Sequence, residues 1–197
     1  PTDAIPDPRP RGIGMDYRIA VDGTRHALGN YRREKSTSLA PGHASANFVA
    51  DNEDWRVEKR YTLHGDTLTI AYRTTSTIEG NAPAGQLETQ LNLAMPSCDG
   101  FGGRYILADG SIPGGFGQAL VLTDLSQLTL VDSELGDGAV HLTAVPPAPT
   151  FTGQPHHTVS QSEAGFEKIM QAVCLTLRWP IASGDWQHIA LKVTSTA

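Results

Sequence analysis

The sequence predicts an all-β protein, an antiparallel β-sandwich, on three observations. Apolar and polar residues alternate with period two in segment after segment, helical periodicity is nearly absent, and glycine- and proline-rich turns separate the segments. Successive side chains of a strand point to opposite sides, so a half-buried strand carries that alternation in its sequence. About a dozen such segments, each needing to bury one face, are satisfied by two packed sheets. At 197 residues the chain is long enough to do this as one domain with its own core. That domain is expected over residues 13–197, behind a proline-rich lead, "PTDAIPDPRPRG", that reads as a linker or trimmed boundary over residues 1–12.

The elements follow in order. "YRREK", Tyr31 to Lys35, reads as a solvated strand surface rather than a phosphate cradle. In "WRVEKRYTLHGDTLTIAYR", Val57, Tyr61 and Leu63 alternate with Arg56, Glu58, Arg60 and Thr62. Leu68, Ile70 and Tyr72 then alternate with Thr67, Thr69 and Arg73, which makes a hairpin turning at Gly65 and Asp66. "LETQLNLAM" sets Leu87, Thr89, Leu91, Leu93 and Met95 on a core face and Glu88, Gln90 and Asn92 on a polar one. "GRYIL", "ALVLTD", "LTLVD", "AVHLTAV", "EKIMQAVCLTLRW" and "WQHIALKV" continue the pattern. "PPAP", Pro146 to Pro149, is expected to be a loop crossing between the sheets.

Composition excludes several classes of function. A formal charge of -6 with no basic face argues against a nucleic-acid partner. No run of about 18 apolar residues is present to form a spanning helix, so no membrane partner is expected, and a cytoplasmic setting is assumed. Cys98 and Cys174 lie in unlike contexts and are expected to be free thiols. "PHH" offers two metal ligands without a third, so neither a metal nor a cofactor is expected. "GFGGRY" and "PGGFGQ" lack the lysine and following helix of a phosphate loop and read as tight turns.

Two chemistries compete for the polar stretch "TVSQSEAGFEKIMQ", residues 158–171. His156 or His157 with Glu163 offers an acid and a base for sugar carbonyl chemistry. The plainer reading is surface residues at a strand entrance, because 7 histidines and 21 acidic residues in one chain make such neighbours common. Sugar binding is the other candidate: an indole stacks on the apolar face of a pyranose while polar side chains hold its hydroxyls. Trp179, within "LTLRWPI", is expected in the core; for Trp55 and Trp186 an exposed platform and a core seal both stay open. Gly165 is expected to permit a bulge or a close backbone approach.

"FVADNEDWRVEKRYTL", "LETQLNLAMPS" and above all "TVSQSEAGFEKIMQAVCLTLRWPI" resemble the carboxy-terminal β-sandwich domain of glycoside hydrolase family 57 α-amylases and 4-α-glucanotransferases, over about Phe48 to Pro180. The resemblance implies a galactose mutarotase-like supersandwich fold. It also implies a barrel-like catalytic domain of the same polypeptide that carries the catalytic residues, so none is expected here. The partners it implies are that catalytic domain and an α-glucan or oligosaccharide. The family often has a glutamate where this chain has Gln90, which puts any role needing a charge there in doubt. The candidate carbohydrate-binding set is Glu88, Gln90 and Asn92, with His156, His157, Gln161 and Glu163 beside them, and Trp186. A mutarotase-like sugar epimerase using His156 or His157 and Glu163 is the alternative. A pure interaction module, the third reading, would expose an apolar patch on one sheet face.

Overall fold

The computed structural model describes residues 11–34, 42–52, 55–78, 84–97, 102–162, 165–181 and 184–194, the side chains of 160–162 excepted. The lead over 1–10, Cys98 and Glu163 thus lie outside the described residues. Among those described there are thirteen strands. They are β1 (Ile13–Ile19), β2 (Arg25–Leu28), β3 (Arg32–Glu34), β4 (His43–Asp51), β5 (Trp55–His64), β6 (Thr67–Ser76) and β7 (Gln86–Leu93). After these come β8 (Arg104–Leu107), β9 (Gly114–Gly115), β10 (Leu120–Val131), β11 (Ala139–Ser162), β12 (Gly165–Pro180) and β13 (Trp186–Thr194). A single 3-10 turn, Ser133–Leu135, interrupts them. No helix among the described residues is long and apolar enough to cross a membrane.

Every pairing is antiparallel, as the alternation predicts. One layer runs β2-β1-β7-β12 and ends on the far half of β11; the other runs β3-β4-β5-β6-β13 and ends on its near half. β11 pairs with β13 through Ala139–Val145 and with β12 from Thr150 onward, while β10 follows its other edge along both halves. The expectation of a loop at "PPAP" is therefore corrected: Pro146 to Pro149 lie inside β11, at the handover between layers. Proline lacks the N–H that a ladder needs, and at this handover neither β12 nor β13 pairs with these residues. The crossing between sheets is made by a continuous strand.

The core is the inner face that the alternation marks. Val57, Ile70, Tyr72, Leu91, Leu142, Phe151, Val173, Leu175 and Leu177 are fully buried, and the hairpin between β5 and β6 turns at Gly65 and Asp66 as expected. Trp55 and Trp179 both seal this core, and the Trp179 indole N–H donates to the Pro146 carbonyl at 3.2 Å. The Arg18 guanidinium lies 5.5 Å from the Trp55 ring. Gly165 differs from expectation. It has φ +123° at the first residue of β12, nothing lies within 4 Å of an added Cβ, and the bulge sits further in, opposite His156 and His157.

A buried polar cluster breaks the apolar pattern of the inner face. Lys59 follows Val57 on the buried side of β5, and its ammonium meets the Asp16 carboxylate of β1 at 2.6 Å with side-chain exposures of 4% and 0%. Tyr72 of β6 donates to Asp16 at 2.8 Å and its hydroxyl lies 2.8 Å from the Thr89 hydroxyl of β7. Burial, and then the charge of Asp16, pushes the Tyr72 hydroxyl well above its ordinary pKa, so it stays protonated and able to donate. Lys59 also donates to the Gly14 carbonyl, where φ is +78° and an added Cβ would meet the Tyr61 hydroxyl at 2.5 Å. Only glycine fits there. The cluster fastens β1 and β7 of one layer to β5 and β6 of the other.

A second polar tie closes the end of the sandwich. Asp132, buried at the end of β10, accepts from the Ser97 N–H at 2.7 Å, from the Ser97 hydroxyl, and from the Glu134 N–H at 3.0 Å. Burial alone would raise its pKa; the Ser97 and Glu134 hydrogen bonds outweigh that and hold it below the ordinary carboxylate value.

Lys59→Met should cost about 3–5 kcal/mol in urea unfolding, because it strands a buried carboxylate, and adding Asp16→Asn should recover more than half. Equal midpoints for wild type and Lys59→Met would contradict this. The folded pKa of Asp132 is depressed, so its contribution is complete above about pH 4 and fades as pH falls through the folded value. The stability gap between wild type and Asp132→Ala should accordingly narrow in unfolding curves taken downward from pH 5, and a gap constant with pH would contradict it.

Candidate functional site

The outer face of the first layer gathers the polar side chains. β7 alternates, so Glu88, Gln90 and Asn92 all point away from the core, as expected. Register places Arg178, Thr176 and Cys174 of β12 opposite them, and then Thr150, Thr152 and Gln154 of β11. His156 follows Gln154 on the same face, opposite Ala172. On the other side, β1 sets Tyr17 beside Glu88 and Met15 beside Gln90. The rows are thus Tyr17–Glu88–Arg178–Thr150, Met15–Gln90–Thr176–Thr152 and Asn92–Cys174–Gln154.

Glu88 is the most constrained member. Its side chain is 1% exposed, yet it carries a carboxylate that two arginines share. Arg25 of β2 donates from Nε to Oε1 at 2.8 Å, and Arg178 from Nε to Oε2 at 2.7 Å. The Arg25 guanidinium also lies 3.3 Å from the centre of the Tyr17 ring. Glu88 is therefore an acceptor saturated from both sides, and its buried charge is compensated.

The remaining candidates separate. Asn92 donates from Nδ2 to the Gly12 carbonyl at 2.9 Å and anchors the chain as it enters β1. Gln90 is half-buried between Met15 and Thr176. Adjacent residues of a strand face opposite sides, so His157, paired with the buried Met170, points away from His156, and only one of the two histidines shares the face of Glu88; the bulge here leaves Gln171 of β12 unpaired. Gln161 pairs with Phe166 in a two-stranded extension of β11 and β12. Phe166 and Val159, 62% and 39% exposed, lie on one side of that extension, a small apolar patch.

Trp186 belongs to the other layer. It stands on that layer's outer face, opposite Arg73, with the guanidiniums of Arg60 and Arg73 each 5.0 Å from its ring. A shallow pocket of about 60 Å³ beside it is lined by Glu34, Asn47, Val49, Glu58 and Arg60. Its stacking surface is engaged by arginines, and it lies across the sandwich from Glu88.

Sequence reasoning missed Arg25 and Arg178. In "AVCLTLRW" the arginine falls in the polar register of a strand otherwise built for burial, and a charge there needs a partner. Arg25, in the short β2, carries no such signal. Cys174 lies on the same face; burial pushes its thiol upward in pKa, away from the thiolate a nucleophile needs.

The fold and this face define an antiparallel sandwich domain with one polar sheet surface built around a shared carboxylate. The family model described as the C-terminal region of α-amylase/4-α-glucanotransferase matches residues 25–192, and the chain belongs to that family. It is an accessory domain of carbohydrate metabolism. Among solved structures, the 4-α-glucanotransferase from Thermococcus litoralis is similar at 20% identity and TM-score 0.57, over 94% of this chain and 28% of that one. The chain thus spans about a quarter of that enzyme's length. A putative aldose 1-epimerase from Escherichia coli is similar at 15% identity and TM-score 0.56, over 91% of this chain and 79% of that one. A Synechocystis protein matches at 10% identity and TM-score 0.59, over 91% and 73%. These likenesses concern the fold. No match is found among curated proteins.

Glu88→Ala should lower stability by about 1–3 kcal/mol, since two adjacent guanidiniums lose their common acceptor. Glu88→Gln should lose less, because the amide oxygen still accepts from one of them. Urea midpoints check both, and an unchanged midpoint for Glu88→Ala would contradict the clamp.

Proposed function

We propose that this chain is the non-catalytic accessory domain of an α-glucan-active enzyme of glycoside hydrolase family 57, an α-amylase or 4-α-glucanotransferase. In this reading it stands beside a catalytic domain of the same polypeptide and contacts α-glucan through the outer face of its first layer. The observation that carries the reading is the join of Gln90, Thr176, Thr152, Gln154 and His156 into one polar sheet surface. A neutral oligosaccharide presents hydroxyls that both donate and accept, and amide and hydroxyl side chains answer both roles. Family membership supports the glucan as the class of sugar. The epimerase alternative, His156 or His157 with Glu163, gains no geometry among the described residues, because Glu163 lies outside them.

Calorimetric titration with maltooligosaccharides and glycogen tests the reading. Binding is expected, with Gln90→Ala and Gln154→Ala each weakening it by about five- to tenfold, the worth of about one hydrogen bond. Absence of heat at millimolar sugar would leave only the supporting role beside the catalytic domain.

A further inference from the structure

The charge on this face differs from that of the chain. The protein carries a formal charge of -6. In the rows Tyr17–Glu88–Arg178–Thr150, Met15–Gln90–Thr176–Thr152 and Asn92–Cys174–Gln154, however, Glu88 is the one carboxylate and it faces two arginines, Glu167 lying further along the face opposite Ser160. The arrangement is also asymmetric in depth: the Glu88 side chain is 1% exposed, whereas those of Arg25 and Arg178 are 41% and 37% exposed. The negative charge is hidden and the positive charge reaches solvent.

Donor geometry sharpens this. Arg178 spends its Nε on Glu88, and Arg25 spends Nε and Nη2. The two Nη groups of Arg178 and the Nη1 of Arg25 meet no other acceptor among the described residues. Two forks held by a common carboxylate have their rotamers fixed before any ligand arrives, which lowers the ordering cost of binding. Next to Arg178 in register stands the Thr150 hydroxyl, with Thr123 beyond it. A plain strand-pinning triad accounts for the ion pairs, yet leaves an excess positive charge and solvent-facing donors that a neutral glucan does not match.

We propose that this face takes a phosphate monoester of glucose or of an α-glucan. Arg25 and Arg178 contact the phosphate oxygens, Glu88 beneath them is a positioning residue, and Gln90, Thr176 and Gln154 hold the sugar. A phosphate monoester carries about -1.5 to -2 charge at neutral pH and accepts from guanidinium forks in pairs. The inference rests on the α-glucan reading for its sugar and on the arginines for its anion.

The test titrates the folded chain with glucose, glucose 6-phosphate, inorganic phosphate and maltotriose at low and high salt. Glucose 6-phosphate is expected to bind at least about tenfold more tightly than glucose or phosphate, and to lose most of its preference over glucose at high salt. Arg178→Gln and Arg25→Gln should each bring the preference over glucose close to one, with Arg178→Lys intermediate because it keeps the charge without the fork. Thermal melts establish that the variants fold; should Arg25→Gln not fold, the Arg178 pair carries the test. Equal affinity for glucose and glucose 6-phosphate in the wild type overturns the proposal, as does inorganic phosphate binding as tightly as the ester. The maltotriose arm separates the two readings: ester binding without maltotriose binding sinks the α-glucan function alone.

Discussion

A single strand ties the molecule together. β11 covers Ala139–Ser162, and β10, β12 and β13 all form their ladders on it, so both layers are registered against one backbone. A sheet that ends on an open edge invites association, but here each layer runs into the other through this shared strand. The handover at Pro146 to Pro149 falls where neither β12 nor β13 needs a donor, which is why three prolines that would break an ordinary central strand are tolerated. The same strand delivers Thr150, Thr152, Gln154 and His156 to the outer face, so the architecture and the candidate site share one constraint.

Two ionic clusters then fix what β11 does not touch. Asp16 and Lys59 lie between the layers, and Glu88 lies between Arg25 and Arg178 on the outside. Their energetics differ. The inner pair is desolvated on both sides, so removing one partner strands a charge, although replacing both by apolar residues need not destabilise. The outer triad buries only its carboxylate and leaves its cations in water. The inner pair joins strands of both layers, and the outer triad leaves guanidinium nitrogens without an acceptor among the described residues.

Much of the fold was legible from local pattern. Alternation named the core faces of β5, β6 and β7 and the turn at Gly65 and Asp66, because these depend only on neighbours in sequence. Lys59 was hidden in the same pattern: its position said core, its chemistry said surface, and only its contact with Asp16, forty-three residues away, resolves the conflict. The site was less legible for the same reason. Glu88, Gln90 and Asn92 share a face by period two alone, but the partnership of Glu88 with Arg25 and Arg178 spans separations of 63 and 90 residues. His156 and His157 separate by period two once β11 is known to run through them, whereas strand order sent Trp186 to the other layer and leaves no mark in local composition.

The most direct test of the outer face of the first layer as the glucan-contacting surface is a map of backbone amide NMR shifts as maltoheptaose is added to the isotope-labelled chain. Shifts confined to residues 87–92, 150–156 and 172–178 are the predicted result. Shifts centred instead on Glu58, Arg73 and Trp186, across the sandwich, would contradict it.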